Sequence, residues 1–311
     1  MSRAFVFPGQ GAQTIGMGRA LADAYPAAKA VFDEVDAALG EKLSALIWEG
    51  DIAELTLTQN AQPALMATSI AALRALEAEG ISVASHADFV AGHSLGEYSA
   101  LCAAGALSLS DTARLLRLRG EAMQEAVPVG VGAMAALLGL DFATAQAVAE
   151  EAAQGEVCQA ANDNDPAQVV VSGHKGAVER AIEIAKAKGA KRALLLPVSA
   201  PFHCALMQPA AHRMAEALSA VVISKPSVPV VVNVRAEAVT EPDRFFDLLV
   251  AQVTGSVRWR ESVLWMETAG VTEYWEIGAG KALSGMIKRI TSGEVVLKAI
   301  GTPEDVAAVR G

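Results

Sequence analysis

The hydrophobic pattern of this chain alternates between short apolar runs and longer segments with helical spacing. The runs at residues 4–7 and 89–92 end at glycine or proline-glycine, which is typical of buried strands that lead into turns. Residues 20–39, 62–80 and 108–127 carry small and apolar side chains at helical period. An alternation of strands and helices favours a parallel sheet covered by helices on both faces.

The region from residue 128 to residue 197 follows a different order. Its pattern predicts strand, helix, strand, strand, helix and strand, with residues 163–166 (DNDP) as the turn between the central strands. This βαββαβ order is the ferredoxin-like pattern. We therefore predict an α/β fold in which residues 1–127 and 198–311 form a large domain with a parallel sheet. Residues 128–197 are predicted to form an inserted ferredoxin-like small domain.

Composition narrows the class of protein. The net charge of −10 disfavours nucleic-acid binding, because neutralising phosphates requires a basic surface. The three cysteines lack the paired spacing of a zinc site, and we predict that they are buried, reduced thiols. The long uncharged segments at residues 55–73 and 193–212 contain polar residues or proline, so neither is predicted to span a membrane. The apolar run before Pro8 is too short for a signal-peptide core, which indicates a cytoplasmic protein.

The segment FVAGHSLG, residues 89–96, contains the strongest candidate for catalysis. It matches the G-x-S-x-G corner, in which glycines before and after the serine relieve the crowding of a tight strand-to-helix turn and leave the hydroxyl of Ser94 exposed. The amide of Leu95, at the start of the helix, would then point toward a developing oxyanion. The pattern indicates a nucleophile, with a structural turn serine as the alternative. It does not distinguish hydrolysis from transfer to another acceptor.

A serine nucleophile needs a base, and the chain has five candidates: His86, His93, His174, His203 and His212. The side chain of His93 is expected to diverge from its neighbour Ser94. His203 follows a strand end and Pro201, a position at which a ring can be held over a cleft. Any of the five is also compatible with a surface or hydrogen-bonded histidine. No acid between Ser94 and His203 is obviously placed to orient the ring, so we expect a Ser-His dyad fixed by a backbone carbonyl.

The predicted helix at residues 108–127 carries three arginines: Arg114, Arg117 and Arg119. Arg117 and Arg119 point about 200° apart on a helix, so at most one of them can face the serine. The residues alone favour an exposed basic face over a binding role. They do not choose between the two arginines.

Five segments together resemble the malonyl-CoA:acyl-carrier-protein transacylases of bacterial fatty-acid synthesis: FPGQGAQ, GHSLGEYSA, LRLRGEAM, PVSAPFHCALM and GAGKALSGMIKR. They follow one another in order over nearly the whole chain. The resemblance implies an α/β-hydrolase-like large domain with a ferredoxin-like insert. It also implies transfer of malonyl from malonyl-CoA to the phosphopantetheine thiol of acyl carrier protein through a malonyl-serine, without metal or other cofactor. Ala279 and the triplet Gly255-Ser256-Val257 depart from the commonest family pattern but remove no chemical group.

The resemblance assigns the reacting groups. It implies that Ser94 is the nucleophile and His203 the base. The backbone amides of Gln10 and Leu95 would form the oxyanion hole.

It also assigns the residues that hold the substrate. Arg119 would bind the malonyl carboxylate, which a planar guanidinium can hold through two parallel hydrogen bonds. Gln252 would fix the catalytic histidine through its backbone carbonyl, and Asn162 would line the cleft. Phe202 resembles the bulky neighbour of malonyl-selective relatives, so a larger substituent at C2 should be disfavoured.

The sequence is also compatible with two other functions, and it leaves the docking surface for the carrier protein undetermined. A serine hydrolase or thioesterase would share the nucleophile, and a non-catalytic module would only bind the carrier. Docking of an acidic carrier protein would need local basic clusters on an acidic chain. Candidates are Lys191 with Arg192 and Lys288 with Arg289, with a solvated face as an equal alternative.

Overall fold

The computed structural model describes residues 2–310. Within that range the strands are β1 Ser2–Phe7, β2 Phe89–Gly92, β3 Gly132–Leu138, β4 Cys158–Asp165, β5 Gln168–His174, β6 Arg192–Leu195, β7 Val230–Val232, β8 Glu237–Val239, β9 Val271–Ile277 and β10 Val296–Ile300. The first eight helices are α1 Arg19–Ala24, α2 Pro26–Leu39, α3 Leu43–Glu49, α4 Ile52–Thr56, α5 Thr58–Ala78, α6 Val83–His86, α7 Leu95–Ala103 and α8 Leu109–Glu125. The later helices are α9 Phe142–Ala153, α10 Lys175–Ala187, α11 Gln208–Ser219, α12 Pro242–Thr254, α13 Trp259–Thr268, α14 Ala282–Ile290 and α15 Pro303–Ala308, with a 3₁₀ turn at Ala205–Met207 before α11.

A six-stranded sheet forms the centre of the larger unit, in the order β10-β9-β1-β2-β7-β8. Neighbouring strands from β10 to β7 are parallel, and β8 pairs antiparallel with β7. Successive side chains of β1 enter different cores, because side chains alternate across a strand. Phe5 and Phe7 pack in one apolar cluster, and Ala4 and Val6 pack in another. The sheet is therefore buried on both faces, as predicted from its apolar runs.

A separate sheet of four antiparallel strands has the order β4-β5-β3-β6. An apolar cluster joins it to α9 and α10. A smaller cluster of Met134, Ala161 and Val170 packs against Val198 and Phe202. Together the two sheets confirm the predicted mixed α/β class.

The predicted turn at residues 163–166 is wrong, because β4 continues as far as Asp165. The turn is confined to residues 166–167, where Asp165 Oδ1 accepts a hydrogen bond of 2.9 Å from the amide of Ala167. The polar residues stay in the strand because their partners come from elsewhere in the fold. The amide of Val257 donates to the carbonyl of Ala161, and its carbonyl accepts from the amide of Asp163. Both aspartates at the end of β4 pair with arginines.

The sheet register brings two loops together at one edge. Phe7 and Gly92 are partners at the carboxyl ends of β1 and β2. The loop that carries Gln10 and the corner that carries Ser94 therefore leave the sheet side by side, where parallel α/β sheets commonly bind ligands. Of the helices between residues 2 and 310, none combines the length and apolar character needed to cross a bilayer.

Candidate active site

Ser94 lies on a strained corner between β2 and α7. Its backbone has φ 54° and ψ −111°, a conformation that non-glycine residues rarely adopt. Gly92 and Gly96 make the corner possible: a β-carbon at Gly92 would overlap the carbonyl of Gly96, and one at Gly96 would overlap that of Phe7. The amide of Ser94 donates a hydrogen bond of 2.8 Å to Asn233 Oδ1. The sequence therefore predicts this corner correctly from its glycines.

His203 contacts the serine hydroxyl directly. Its Nε2 lies 2.7 Å from Ser94 Oγ, and its Nδ1 lies 2.9 Å from the carbonyl oxygen of Gln252 and 3.1 Å from that of Gly255. Because carbonyl oxygens only accept, Nδ1 carries the proton and Nε2 accepts from the serine hydroxyl. Burial, with the charge of Arg119 as a second cause, lowers the pKa of His203 to about 3. The ring is therefore neutral and able to take a proton.

Arg119 also contacts the hydroxyl of Ser94, and only 1% of its surface is exposed. Its Nη2 donates to Ser94 Oγ at 3.1 Å and to Gln252 Oε1 at 2.8 Å, and its Nη1 donates to Gln62 Oε1 at 2.7 Å. Its Nε has no hydrogen-bond partner within residues 2–310. Arg117 turns away and donates to the carbonyl of Gln59 at 2.6 Å. Helix α8 thus presents Arg119, and not Arg117, to Ser94.

A cleft of about 440 Å³ opens above these three side chains. It is lined by the predicted residues Gln10, Leu95, Asn162 and Phe202, together with Met123, Met134, Leu196 and Val198. The side chain of Gln10 accepts a hydrogen bond of 2.8 Å from Thr58, which ties its loop to α5. The cleft lining therefore combines apolar side chains with the polar groups of Ser94, His203 and Arg119.

Each of the other four histidines bonds a group other than the hydroxyl of Ser94. The contacts are His86 with Ser85, His93 with Asn164, His174 with the amide of Val157 and His212 with Gln208. The ring of His93 diverges from Ser94, as its position on the corner predicts. Of the five candidates, His203 alone contacts Ser94 Oγ within the described chain.

The four predicted docking cations occupy two exposed positions. Lys191 and Arg192 stand at the start of β6, whose continuation at residues 196–198 lines the cleft. Lys288 and Arg289 lie in the last turn of α14. The Nε of Arg289 donates to Asp165 Oδ2 at 2.8 Å, so part of its charge is neutralised inside the molecule.

Comparison with known proteins shows where this arrangement occurs. The family model for the acyl transferase domain matches residues 4–275. The malonyl CoA-acyl carrier protein transacylase of Bacillus subtilis is 50% identical over 304 residues, which cover 97% of this chain and 94% of that protein. The chain belongs to this transacylase family. The Escherichia coli K12 transacylase, 48% identical over 98% of this chain and 97% of that protein, is a further relative.

Solved structures of the family share the whole fold. An acyl-carrier-protein S-malonyltransferase from Bartonella henselae has a TM-score of 0.96 and 56% identity, and the match covers 99% of this chain and 98% of that one. A malonyl transacylase in complex with a type II PKS acyl-carrier protein has a TM-score of 0.95 and 42% identity, over 99% and 98% of the two chains. The transacylase family inferred from the five sequence segments is thereby confirmed.

A layer of polar side chains beneath this transacylase-family site was missed by the sequence analysis. Glu97 Oε2 accepts hydrogen bonds from the amide of Asn233 at 2.9 Å and from Gln252 Nε2 at 3.1 Å. Burial raises the pKa of Glu97 to about 7. Acidic residues are common in the first turn of a helix, where they interact favourably with the helix dipole. The position of Glu97 in the sequence therefore does not indicate a contact with the site. Asn233 and Gln62 gave no signal, because their contacts arise only from tertiary packing.

Proposed function

We propose that this chain transfers the malonyl group of malonyl-CoA to the phosphopantetheine thiol of acyl carrier protein, supplying the extender unit for fatty-acid synthesis. The observation that carries the proposal is the pair of contacts on Ser94 Oγ, with His203 Nε2 at 2.7 Å and Arg119 Nη2 at 3.1 Å. One nucleophile thus has a base and a buried cation within reach. The names of the relatives support the same donor and acceptor.

The first half of the reaction forms a malonyl-serine. His203 Nε2 takes the proton of Ser94 Oγ as the oxygen attacks the thioester carbonyl. The resulting oxyanion accepts hydrogen bonds from the amides of Gln10 and Leu95, and the start of α7 adds its dipole. The carbon-sulfur bond then breaks, and the CoA sulfur leaves with the proton held by His203.

Selection of malonyl rests on Arg119. Within residues 2–310 the hydrogen-bond acceptors of its guanidinium are neutral oxygens, so no carboxylate of that range contacts its positive charge directly. The free carboxylate of malonyl would supply that charge, and the unpartnered Nε offers a donor. Phe202 lines the cleft beside it, which supports exclusion of a larger C2 substituent such as that of methylmalonyl. Asn162 and the backbone of Gln252 complete the proposed set of binding and positioning groups.

The second half reverses the first with another thiol. The phosphopantetheine thiol enters the cleft, His203 takes its proton, and the sulfur attacks the malonyl-serine ester. The oxyanion forms at the same two amides, and Ser94 leaves with the proton from His203. The sequence is a ping-pong transfer that uses only side chains and backbone amides of this chain.

The finer fold description is part of the proposal. We assign residues 1–127 and 198–311 to an α/β-hydrolase-like domain and residues 128–197 to a ferredoxin-like domain. The strand order β4-β5-β3-β6 and the βαββαβ succession support the second name. The buried free cysteines, Cys102, Cys158 and Cys204, suit the cytoplasm, which we propose as the compartment.

We propose Lys191, Arg192, Lys288 and Arg289 as contacts of the acidic carrier. The first pair is the better supported, because β6 leads into the cleft wall. Charge reversal at Lys191 and Arg192 should raise the KM for the carrier and leave the KM for malonyl-CoA unchanged. At the second pair the test belongs on Lys288, since Arg289 also holds Asp165.

The acceptor decides between transfer and hydrolysis. We expect malonyl-CoA alone to release about one equivalent of CoA per enzyme and then stall until carrier protein is added, because the ester waits for a thiol. Intact-protein mass spectrometry should show the malonyl adduct, and Ser94→Ala should abolish it. Rapid multiple turnover in water would instead indicate a thioesterase, and binding of the carrier with no adduct at all would indicate a docking module.

A further inference from the structure

Glu97 lies beneath the active site and makes no contact with the cleft. It is the third residue of α7, and none of its surface is exposed. The hydrogen bonds to its carboxylate end on a single oxygen, Oε2, which accepts from Asn233 and from Gln252. Its other oxygen, Oε1, has no hydrogen-bond partner within the described residues. A buried acid with this arrangement plays no part in the transfer steps above.

Both groups that Glu97 holds are themselves attached to the reacting residues. The Gln252 side chain presents Oε1 to Arg119 Nη2 at 2.8 Å and donates from Nε2 to the carbonyl of Ser94 at 3.0 Å. Asn233 accepts from the amide of Ser94 through Oδ1. Glu97 is therefore one hydrogen bond away from the groups that set the positions of both the guanidinium and the nucleophile.

The orientation of the Gln252 amide depends on what its nitrogen can donate to. An amide NH₂ has two donors. Asn233 Oδ1 lies 3.4 Å from the Gln252 nitrogen, and the two shorter contacts of that nitrogen are to the carbonyl of Ser94 at 3.0 Å and to Glu97 Oε2 at 3.1 Å. If the amide flipped, its oxygen would face both of these acceptors and its NH₂ would face the cation of Arg119. The acceptor at Glu97 therefore acts together with the carbonyl of Ser94 to keep the Gln252 oxygen directed at the guanidinium.

We propose that Glu97 is a positioning residue for malonyl selection: it fixes the Gln252 amide, and through it aims Arg119 at the acyl group bound to Ser94. The inference rests on the proposed function, in which Arg119 binds the malonyl carboxylate. It assigns Glu97 a role through its Oε2 acceptor and requires no contact between Glu97 and the substrate.

Two substitutions separate the acceptor from the rest of the side chain. Glu97→Gln keeps an oxygen that can accept from Asn233 and Gln252, and it places its NH₂ where Oε1 now has no partner. Glu97→Met keeps a similar length and an apolar stem but offers no comparable acceptor. The measurement is the ratio of kcat/KM for malonyl-CoA to that for acetyl-CoA, which lacks the carboxylate.

We expect Glu97→Met to lower this ratio by about tenfold, because a buried donor left without its acceptor lets Gln252 and Arg119 move. Glu97→Gln should keep the ratio within about threefold of the parent chain, since its acceptor is retained. A purely structural role would lower the two rates together and leave the ratio unchanged, which would overturn the proposal. Loss of the ratio in Glu97→Gln equal to that in Glu97→Met would also overturn it, because charge and not the acceptor would then be responsible.

Glu97→Asp serves if the methionine variant does not fold. Its carboxylate is withdrawn by one methylene, so it should lower the ratio, and an unchanged ratio would contradict the proposal. Arg119→Ala distinguishes the inference from the function on which it rests. A ratio that falls in Arg119→Ala but not in the Glu97 variants overturns only the role of Glu97, whereas a ratio unchanged in Arg119→Ala overturns the carboxylate clamp as well.

Discussion

At the scale of single residues, the main property of this site is that the histidine proposed as the base is held neutral. Burial of His203 is the main cause that lowers its pKa, and the nearby charge of Arg119, with a smaller effect from His93, lowers it further. Its Nδ1 is bound by two backbone carbonyls, which orient the ring without adding negative charge. A carboxylate in that position would raise the pKa of the ring. This environment therefore favours the neutral ring, the form that the proposed activation of Ser94 requires.

This environment predicts that the rate of enzyme acylation does not fall as the pH is lowered from 8 to 5. With a pKa of about 3, His203 stays unprotonated from pH 8 down to pH 5. For an ordinary histidine, the fraction in the neutral form would fall about 30-fold over the same range. Stopped-flow release of CoA in a single turnover measures the step. Glu97, with its pKa raised to about 7, is the other group that titrates here, so the profile should be recorded in Glu97→Gln as well. A fall centred near pH 6.5 in both proteins would contradict the prediction.

Sequence reasoning reached the groups at the surface of the site and missed those beneath it. Ser94 could be predicted because its corner requires glycines. His203 and Arg119 were selected by the family resemblance, because the residues alone left other candidates open. Glu97, Asn233 and Gln62 have no local signature, because their partners lie far away in the chain. Burial and hydrogen bonding between distant segments are properties of the fold, and a spacing pattern does not contain them.

At the scale of elements, strands and helices with strong periodicity were predicted well and polar strand ends were not. The apolar runs of β1 and β2 and the long helix α5 follow the sequence pattern. The end of β4 was predicted as a turn because Asp and Asn favour turns. Its side chains are instead buried against Arg260 and Arg289, and tertiary pairing outweighs the local preference.

The corner at Ser94 depends on how closely α7 approaches β1. Gly96→Ala should destabilise the protein by about 2 kcal/mol or more, because the new β-carbon would overlap the carbonyl of Phe7 and push the helix from the strand. Gly285→Ala in α14 is the matched control, since the nearest atom to its β-carbon would be 3.6 Å away. The control should be neutral or more stable by about 1 kcal/mol. Urea unfolding compares the two, and equal effects would refute the close-approach argument.

At the scale of the whole molecule, the two sheets are joined by polar contacts that converge on the site. Asp163, fully buried in β4, pairs with Arg260 of α13 at 2.8 Å. The neighbouring residues of the same strand lie at the site: Asn162 lines the cleft, and Asn164 bonds His93, the residue before Ser94. Val257, which bonds both Ala161 and Asp163, follows the segment that supplies the Gly255 carbonyl to His203. The smaller sheet is therefore attached next to the proposed nucleophile and base.

Breaking this attachment should cost far more than breaking a surface ion pair. Arg260→Ala leaves the Asp163 carboxylate buried without its partner, and we expect a loss of about 3 kcal/mol in the free energy of unfolding. Arg19→Ala, which removes an exposed pair with Glu49, should cost less than about 1 kcal/mol.

Burial already raises the pKa of Asp163 against the opposing effect of Arg260, so protonation of Asp163 relieves the unpaired buried charge in Arg260→Ala. The loss in Arg260→Ala should therefore be smaller at pH 5 than at pH 8, and adding Asp163→Asn should recover part of it. Urea unfolding at the two pH values measures both effects, and equal losses in the two arginine variants would mean that the buried pair does not hold the sheets together.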